Sequence, residues 1–147
     1  MGDIVKVSEK SVFIFIIGGI GYGLLEIIFR GFTHWSMVIT GGSALVSLYL
    51  INHAFPNISI ITKAFAGCTT ITILEFTVGL IVNKLYSFGV WDYTGSPANV
   101  FGIISLKFSL CLFAISFIII ALFITMQKII RSKKFGKPLH HEAQQSY

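Results

Sequence analysis

Long apolar runs alternate with short polar breaks along the whole chain. Four runs, at roughly 11–29, 35–51, 58–82 and 100–130, carry few charged residues. Each is about as long as the ~20 helical residues that cross a ~30 Å hydrocarbon core, and the second is the shortest. Lipid offers no hydrogen-bond partners to backbone N–H and C=O groups. A segment of this length that crosses the bilayer is therefore expected to be a continuous α-helix, in which these groups bond to one another. The pattern predicts four transmembrane helices.

Composition excludes a water-soluble domain. The 147 residues are 54% hydrophobic and only 12% charged, which is more apolar surface than a soluble fold of this size can bury. The first run contains Glu26 and ends without a small-residue cleavage pattern, so we expect it to be retained rather than removed as a signal peptide. The sequence has no G-x-x-x-x-G-K loop, so an ATP-driven role would need a separate subunit.

The basic residues predict the orientation. If both termini are cytoplasmic, eight lie inside and two outside. The inside set is Lys6, Lys10, Lys63, Lys128, Arg131, Lys133, Lys134 and Lys137, and the outside set is Arg30 and Lys84. We therefore predict a cell-membrane protein with a cytoplasmic N-terminus (1–10), a membrane domain (11–131) and a basic cytoplasmic tail (132–147) that can touch anionic lipid. Lysines that lie at the lipid surface account for this charge, so no nucleic-acid partner is predicted.

The two halves of the chain resemble each other. Leu25-Glu26 in the first run corresponds to Leu74-Glu75 in the third, 49 positions later (75 − 26). In both halves, small or polar residues around the glutamate are spaced four, three and four positions apart, which places them on a single face of the helix. These residues are Gly19, Gly23, Glu26 and Arg30 in the first run, and Cys68, Thr72, Glu75 and Gly79 in the third. We expect that face to point into the protein. The predicted fold is an all-α integral membrane protein, with four transmembrane helices in two parallel-repeat hairpins that form a bundle.

Ionisable residues inside the spans are the first candidate site. Glu26 and Arg30 form an i,i+4 pair, and helix rise places Glu75 about 13 Å and Lys107 about 12 Å below the outer surface. An acid and a base at one depth in an apolar bundle are expected to pair. Two interpretations stay open: an exchangeable site on a transport pathway, or static pairs that hold the helices together.

The outer loops supply the second group of candidates. These are His34, Trp35, Asn83, Trp91, Asp92, Tyr93 and Asn99. Trp and Tyr at this level are also expected simply as interface anchors, and a lone histidine is more often a hydrogen-bonded residue than a metal ligand. Gly89, Gly95 and Pro97 exclude a continuous helix, which favours an irregular cap over the bundle. Glu26, His34, Glu75 and Asp92 could together form a metal or acid-base site, and the sequence leaves the metal open.

These motifs resemble a known family. The residues concerned are Glu26, Arg30-Gly31, His34-Trp35-Ser36-Met37, Gly41-Gly42, Leu74-Glu75-Phe76, Gly79, Trp91-Asp92-Tyr93, Asn99, Gly102 and Lys107-Phe108-Ser109. They are similar to the bacterial membrane family named putative ABC-transporter type IV, and the Trp-Asp-Tyr half also resembles a vertebrate multi-pass transmembrane family. The resemblance covers about residues 18–112. One position departs from the family pattern: this chain has Leu112 where the family is expected to have a tryptophan, a few residues after Lys107-Phe108-Ser109. It implies a multi-helix membrane protein with a permease-like role.

Three functions are compatible with the sequence. The first is a transporter, channel or permease subunit that uses the charged residues of the spans. The second is a membrane-embedded enzyme or lipid-handling protein with an outer-face carboxylate and histidine site. The third is a non-catalytic structural partner in a membrane complex. We predict no cofactor and assign no catalytic residue; the expected partners are the bilayer, a second copy or another membrane subunit, and a small solute, ion or lipid.

Overall fold

Four long helices make up most of the protein. The computed structural model describes residues 2–90, 92 and 94–135, with the side chains of 2–8, 29, 30, 134 and 135 left aside. The helices are α1 (Gly2–Arg30), α2 (Trp35–Ala54), α3 (Ile60–Gly79) and α4 (Leu106–Phe135), and a π-helix (Leu80–Leu85) continues α3. Two short antiparallel strands, β1 (Asn99–Val100) and β2 (Ile104–Ser105), precede α4.

The predicted all-α membrane class is confirmed. In the described residues four segments are long and apolar enough to cross a bilayer: Glu9–Ile28, Trp35–Ala54, Ile60–Leu85 and Leu106–Lys133. The chain is a multi-pass membrane protein. Its helices are apolar around most of their circumference, as expected where lipid rather than water surrounds the bundle.

The fourth helix begins later than the sequence predicted. We expected the apolar run from Val100 to be helical, but Phe101 and Gly102 have φ angles of +54° and +69°, which a right-handed helix cannot contain. The chain turns there instead, pairs Val100 with Ile104, and enters α4 at Leu106. Hydrophobicity alone does not reveal this turn, because the residues of the hairpin are as apolar as those of the helix.

Helix α2 lies at the centre of the packing. It contacts α1, α3 and α4, and α3 also packs along α4. The main apolar core consists of Ala44, Leu48, Ala64, Ile71, Leu112 and Ile120. Of the residues in the membrane-spanning part of each helix, 44% are buried in α2 but only 11% in α1. Helix α1 is therefore the most exposed of the four spans, although it packs closely along α2.

A glycine seam, formed by Gly18, Gly19, Gly41 and Gly42, joins α1 to α2. A methyl group at Gly18 would lie 2.7 Å from the Gly41 carbonyl oxygen, and one at Gly42 would lie 2.8 Å from the Phe15 carbonyl oxygen. Both separations are shorter than van der Waals contact, so only hydrogen fits at these positions. Within lipid, such close backbone packing is a major source of helix association, because apolar side chains gain little by leaving one apolar medium for another.

We expect Gly41→Ala to lower the free energy of unfolding by about 1–3 kcal/mol, since the new methyl group would overlap the Tyr22 side chain. Gly21→Ala is the matched control: nothing lies within 4 Å of its added methyl group, so helix propensity should leave stability unchanged or raise it by up to about 1 kcal/mol. Thermal and denaturant unfolding in detergent micelles measures both. Equal stabilities for the two variants would contradict the claim that close packing at the glycine seam stabilises the protein.

Candidate functional site between α1 and α3

The polar face predicted on each half of the chain does point into the protein. On α3, Glu75 is only 3% exposed and Gly79 is also buried. On α1, Gly19 and Gly23 are buried and Glu26 is half-buried. The side chain of Arg30, the last member of the set, lies outside the described residues, so its pair with Glu26 stays a prediction.

A hydrogen bond between α1 and α3 holds the Glu75 carboxyl group. The Tyr22 hydroxyl donates to Glu75 Oε1 at 3.1 Å. The base of the Tyr22 side chain rests against Gly41, where any larger residue would push it away. The glycine seam therefore aims Tyr22 at Glu75.

Sequence reasoning missed Tyr22, although one signal for it was present. Tyr22 lies four residues before Glu26 and hence on the same helical face. Periodicity does not show which helix the hydroxyl group meets, because that depends on how α1 and α3 pack.

Glu26 gives the site a second carboxyl group. It is half-buried and lies one helical turn, about 6 Å, after Tyr22 on the same face of α1, which places it on the side of α1 that faces Glu75. Two negative charges repel strongly where water is scarce, since the screening that bulk water provides is lost. A proton or a small cation between the two carboxyl groups would remove that repulsion. Tyr22, Glu26 and Glu75 are called the carboxyl site below.

Lys107 does not join this site. Its side chain is exposed, whereas Glu75 is buried, and the predicted ion pair is not formed between these two described residues. The depth estimate assumed that the fourth helix starts near Asn99, which placed Lys107 about two turns inside it. Because α4 begins at Leu106, Lys107 lies in its first turn, where its exposed ammonium group can extend towards the edge of the bilayer.

His34 and Trp35 form the start of α2. His34 is the N-cap: its Nδ1 accepts from the Ser36 backbone N–H at 3.3 Å and lies 2.7 Å from Ser36 Oγ. Its ring packs against Trp35 and Phe88, with ring centroids 5.2 and 5.5 Å away. Trp35 is 59% exposed, which fits an interface anchor.

The polar residues of the second outer loop stabilise its turns. Asp92 Oδ1 accepts from the Thr94 backbone N–H at 3.1 Å and from its hydroxyl at 2.6 Å. Asn99 Nδ2 donates to the Ser96 carbonyl oxygen at 2.8 Å, and its Oδ1 accepts from the Gly102 N–H. These hydrogen bonds give Asp92 and Asn99 a structural role in the loop, so no bound ligand is needed to explain why they are there. Trp91 and Tyr93 lie outside the described residues.

Asn83 fastens this loop to the end of α3. It lies in the π-helix, and its Oδ1 accepts from the Val90 N–H at 2.7 Å. A second apolar cluster, made of Met37, Val82, Val90 and Ile103, lies beneath. The loop thus covers this end of the bundle, as the cap interpretation expected.

The predicted outer candidates do not assemble around one point. Within the described part of the chain, no group of three or more His, Cys, Asp or Glu side chains is placed to hold a metal ion. His34 and Asp92 each serve their own turn, while Glu26 and Glu75 belong to the carboxyl site.

Tyr22→Phe should lower the free energy of unfolding by about 1–3 kcal/mol, because the buried Glu75 carboxyl group would lose its donor. Tyr49→Phe is the matched control, since its ring, which packs against His53 and Phe123, is kept. Unfolding in detergent compares the two, and a Tyr22→Phe protein as stable as the control would show that the hydrogen bond contributes nothing.

Comparison with known proteins assigns the chain to a family. No match is found among curated proteins or among solved structures. A family model described as putative ABC-transporter type IV matches residues 10–139. The match covers the four membrane-spanning segments except Glu9, the first residue of the first segment, and it includes Glu26 and Glu75. The protein belongs to this family, the putative ABC-transporter type IV proteins.

Proposed function

We propose that the protein is a membrane subunit of a transporter, and that a proton or a small cation passes through its carboxyl site. Family membership supports a transporter component. A carboxyl group inside a membrane span costs several kcal/mol to insert, roughly 2.5–3.5 on insertion scales, and such residues generally mark pathways for ions or substrates. The solute that moves with the cation is left open.

The observation that carries this proposal is the environment of Glu75. The side chain is 3% exposed, and its hydrogen bond comes from a neutral tyrosine on another helix. A static ion pair would have held the carboxylate permanently charged. Here the described donor to Glu75 is neutral and a second carboxyl group lies one turn along α1, so a proton or a cation can bind to Glu75 and leave again.

Binding at Glu75 would be coupled to the position of α1. A hydrogen bond to an ionised carboxylate is about twice as strong as one to a neutral group. When Glu75 takes up a proton or a cation, the Tyr22 contact weakens, and α1 loses part of its attachment to α3. Helix α1 packs closely along α2 but meets α3 at few points, so the Tyr22 contact is a substantial part of its attachment to α3.

The orientation follows the basic residues, with both termini in the cytoplasm. The exposed side chains of Lys10, Lys128, Arg131 and Lys133 then lie at the inner surface, and the carboxyl site lies closer to the outer one.

Since the sequence holds no phosphate-binding loop, ATP-driven transport would use a partner subunit. The local contacts of His34 and Asp92 favour transport over the membrane-enzyme alternative, which would need a base beside a substrate pocket.

Proteoliposomes test the proposal. A pH-sensitive dye and a cation-sensitive dye are trapped inside, and an electrical potential is imposed across the membrane. The wild-type protein should carry protons or cations faster than protein-free vesicles, and Glu75→Gln should reduce that flux at least about tenfold by removing the charged form of the site. Glu9→Gln makes the same chemical change at an exposed position and should leave the flux unchanged.

Two results would overturn the proposal. One is wild-type flux equal to that of protein-free vesicles for both probes. The other is a flux that Glu75→Gln and Glu9→Gln affect alike. Matched protein content and matched unfolding temperatures show that a loss of flux is not a loss of folded protein.

A further inference from the structure

A buried lysine lies at the opposite end of the bundle from the carboxyl site. Lys63, in the first turns of α3, is only 3% exposed, although the sequence analysis placed it among the lysines at the lipid surface. It precedes Glu75 by 12 residues (75 − 63), or about 18 Å of helix. Any ligand of Lys63 is therefore separate from the proposed transport site.

Lys63 has neutral hydrogen-bond acceptors. Its ammonium group donates to Asn52 Oδ1 at 3.0 Å and to the Pro56 carbonyl oxygen at 3.4 Å. Among the described side chains, none forms an ion pair with it. A buried cation without a counter-charge is costly, because neutral dipoles replace only part of its hydration.

Helix dipoles do not supply the missing negative charge. The C-terminus of α2, at Ala54, contributes about half a negative charge near the site. The N-terminus of α3, capped by Ser59, contributes about half a positive charge at the same end of the bundle. The two contributions largely offset each other, so the ammonium group still needs an anion.

Asn52 adds a donor that has no acceptor. This side chain is 2% exposed, and its Nδ2 group is buried without a hydrogen-bond partner in the described structure. The amide cannot be turned around to solve this, because its NH₂ group would then face the Lys63 ammonium group. Since both polar atoms belong to one amide, Nδ2 lies beside the cation. An unpaired buried donor costs about 1–3 kcal/mol.

We propose that Lys63 and Asn52 bind a phosphate-type oxyanion at this end of the bundle. One ligand with several acceptor oxygens would neutralise the ammonium group and accept from Asn52 Nδ2 at the same time. The contact with Pro56 is the longer of the two, and the loop that carries it, 55–58, is exposed, so this carbonyl is the group that the ligand displaces.

The same phosphate chemistry has two sources, a lipid head group and a free ion. Thermal unfolding of the full chain in dodecyl maltoside, a detergent without phosphate, distinguishes them. One arm adds inorganic phosphate at ionic strength held constant with chloride. The other adds dioleoylphosphatidylglycerol, with dioleoylglycerol as the phosphate-free lipid control. Ligands that bind only the folded protein raise its unfolding temperature.

Two site variants and one control accompany the wild type. Asn52→Asp places a carboxylate beside Lys63, so it should raise the unfolding temperature without ligand and abolish the response to added phosphate. Lys63→Met removes the charge at similar volume and should weaken binding at least about tenfold. Lys84→Met removes an exposed lysine at the other end of α3 and should respond like the wild type.

The outcomes are distinct. A response to phosphatidylglycerol alone identifies a head-group site, and a response to inorganic phosphate as well identifies a site for the free ion; in either case it must vanish in Asn52→Asp. The proposal is overturned if neither probe stabilises the wild type, if dioleoylglycerol acts as well as phosphatidylglycerol, or if Asn52→Asp and Lys84→Met respond equally.

Discussion

The carboxyl group of Glu75 has to find its partners inside the protein, because the hydrocarbon around the bundle offers none. The partner it finds is the hydroxyl group of Tyr22 on another helix. That contact depends on Gly41, since a side chain there would displace Tyr22. Close backbone packing between α1 and α2 therefore determines whether the polar contact between α1 and α3 can form at all.

Helix α1 combines weak burial with a polar attachment, and this combination gives the site its functional meaning. A helix embedded in a large apolar core would not respond to one proton, because a single hydrogen bond is a small part of its packing. Helix α1 is held along α2 by the glycine seam, whereas its described hydrogen bond to α3 is the one from Tyr22. A change of charge at Glu75 would therefore alter the attachment of α1 to α3 and leave its packing against α2 in place.

Hydrophobic pattern and helical periodicity predicted the four membrane helices and the inward face that carries Glu75 and Gly79, because both follow from local sequence. The partner of Glu75 could not be predicted in the same way. Lys107 was chosen by depth alone, and the turn at Phe101 and Gly102 shifted the start of α4 and left that lysine outside. The burial of Lys63 was missed too, since a lysine near a helix end is usually exposed. Only its contacts with Asn52 of α2 and with Pro56 in the following loop reveal otherwise.

The most direct test of the account is infrared spectroscopy of the Glu75 carboxyl group in the purified protein, assigned by its loss in Glu75→Gln. The account predicts a band that changes reversibly between the protonated and ionised forms over the pH range in which the protein is folded. It also predicts that the band shifts in Tyr22→Phe and responds to added cations. A band fixed in one form under all these conditions, and unaltered in Tyr22→Phe, would contradict it and leave Glu75 a purely structural residue.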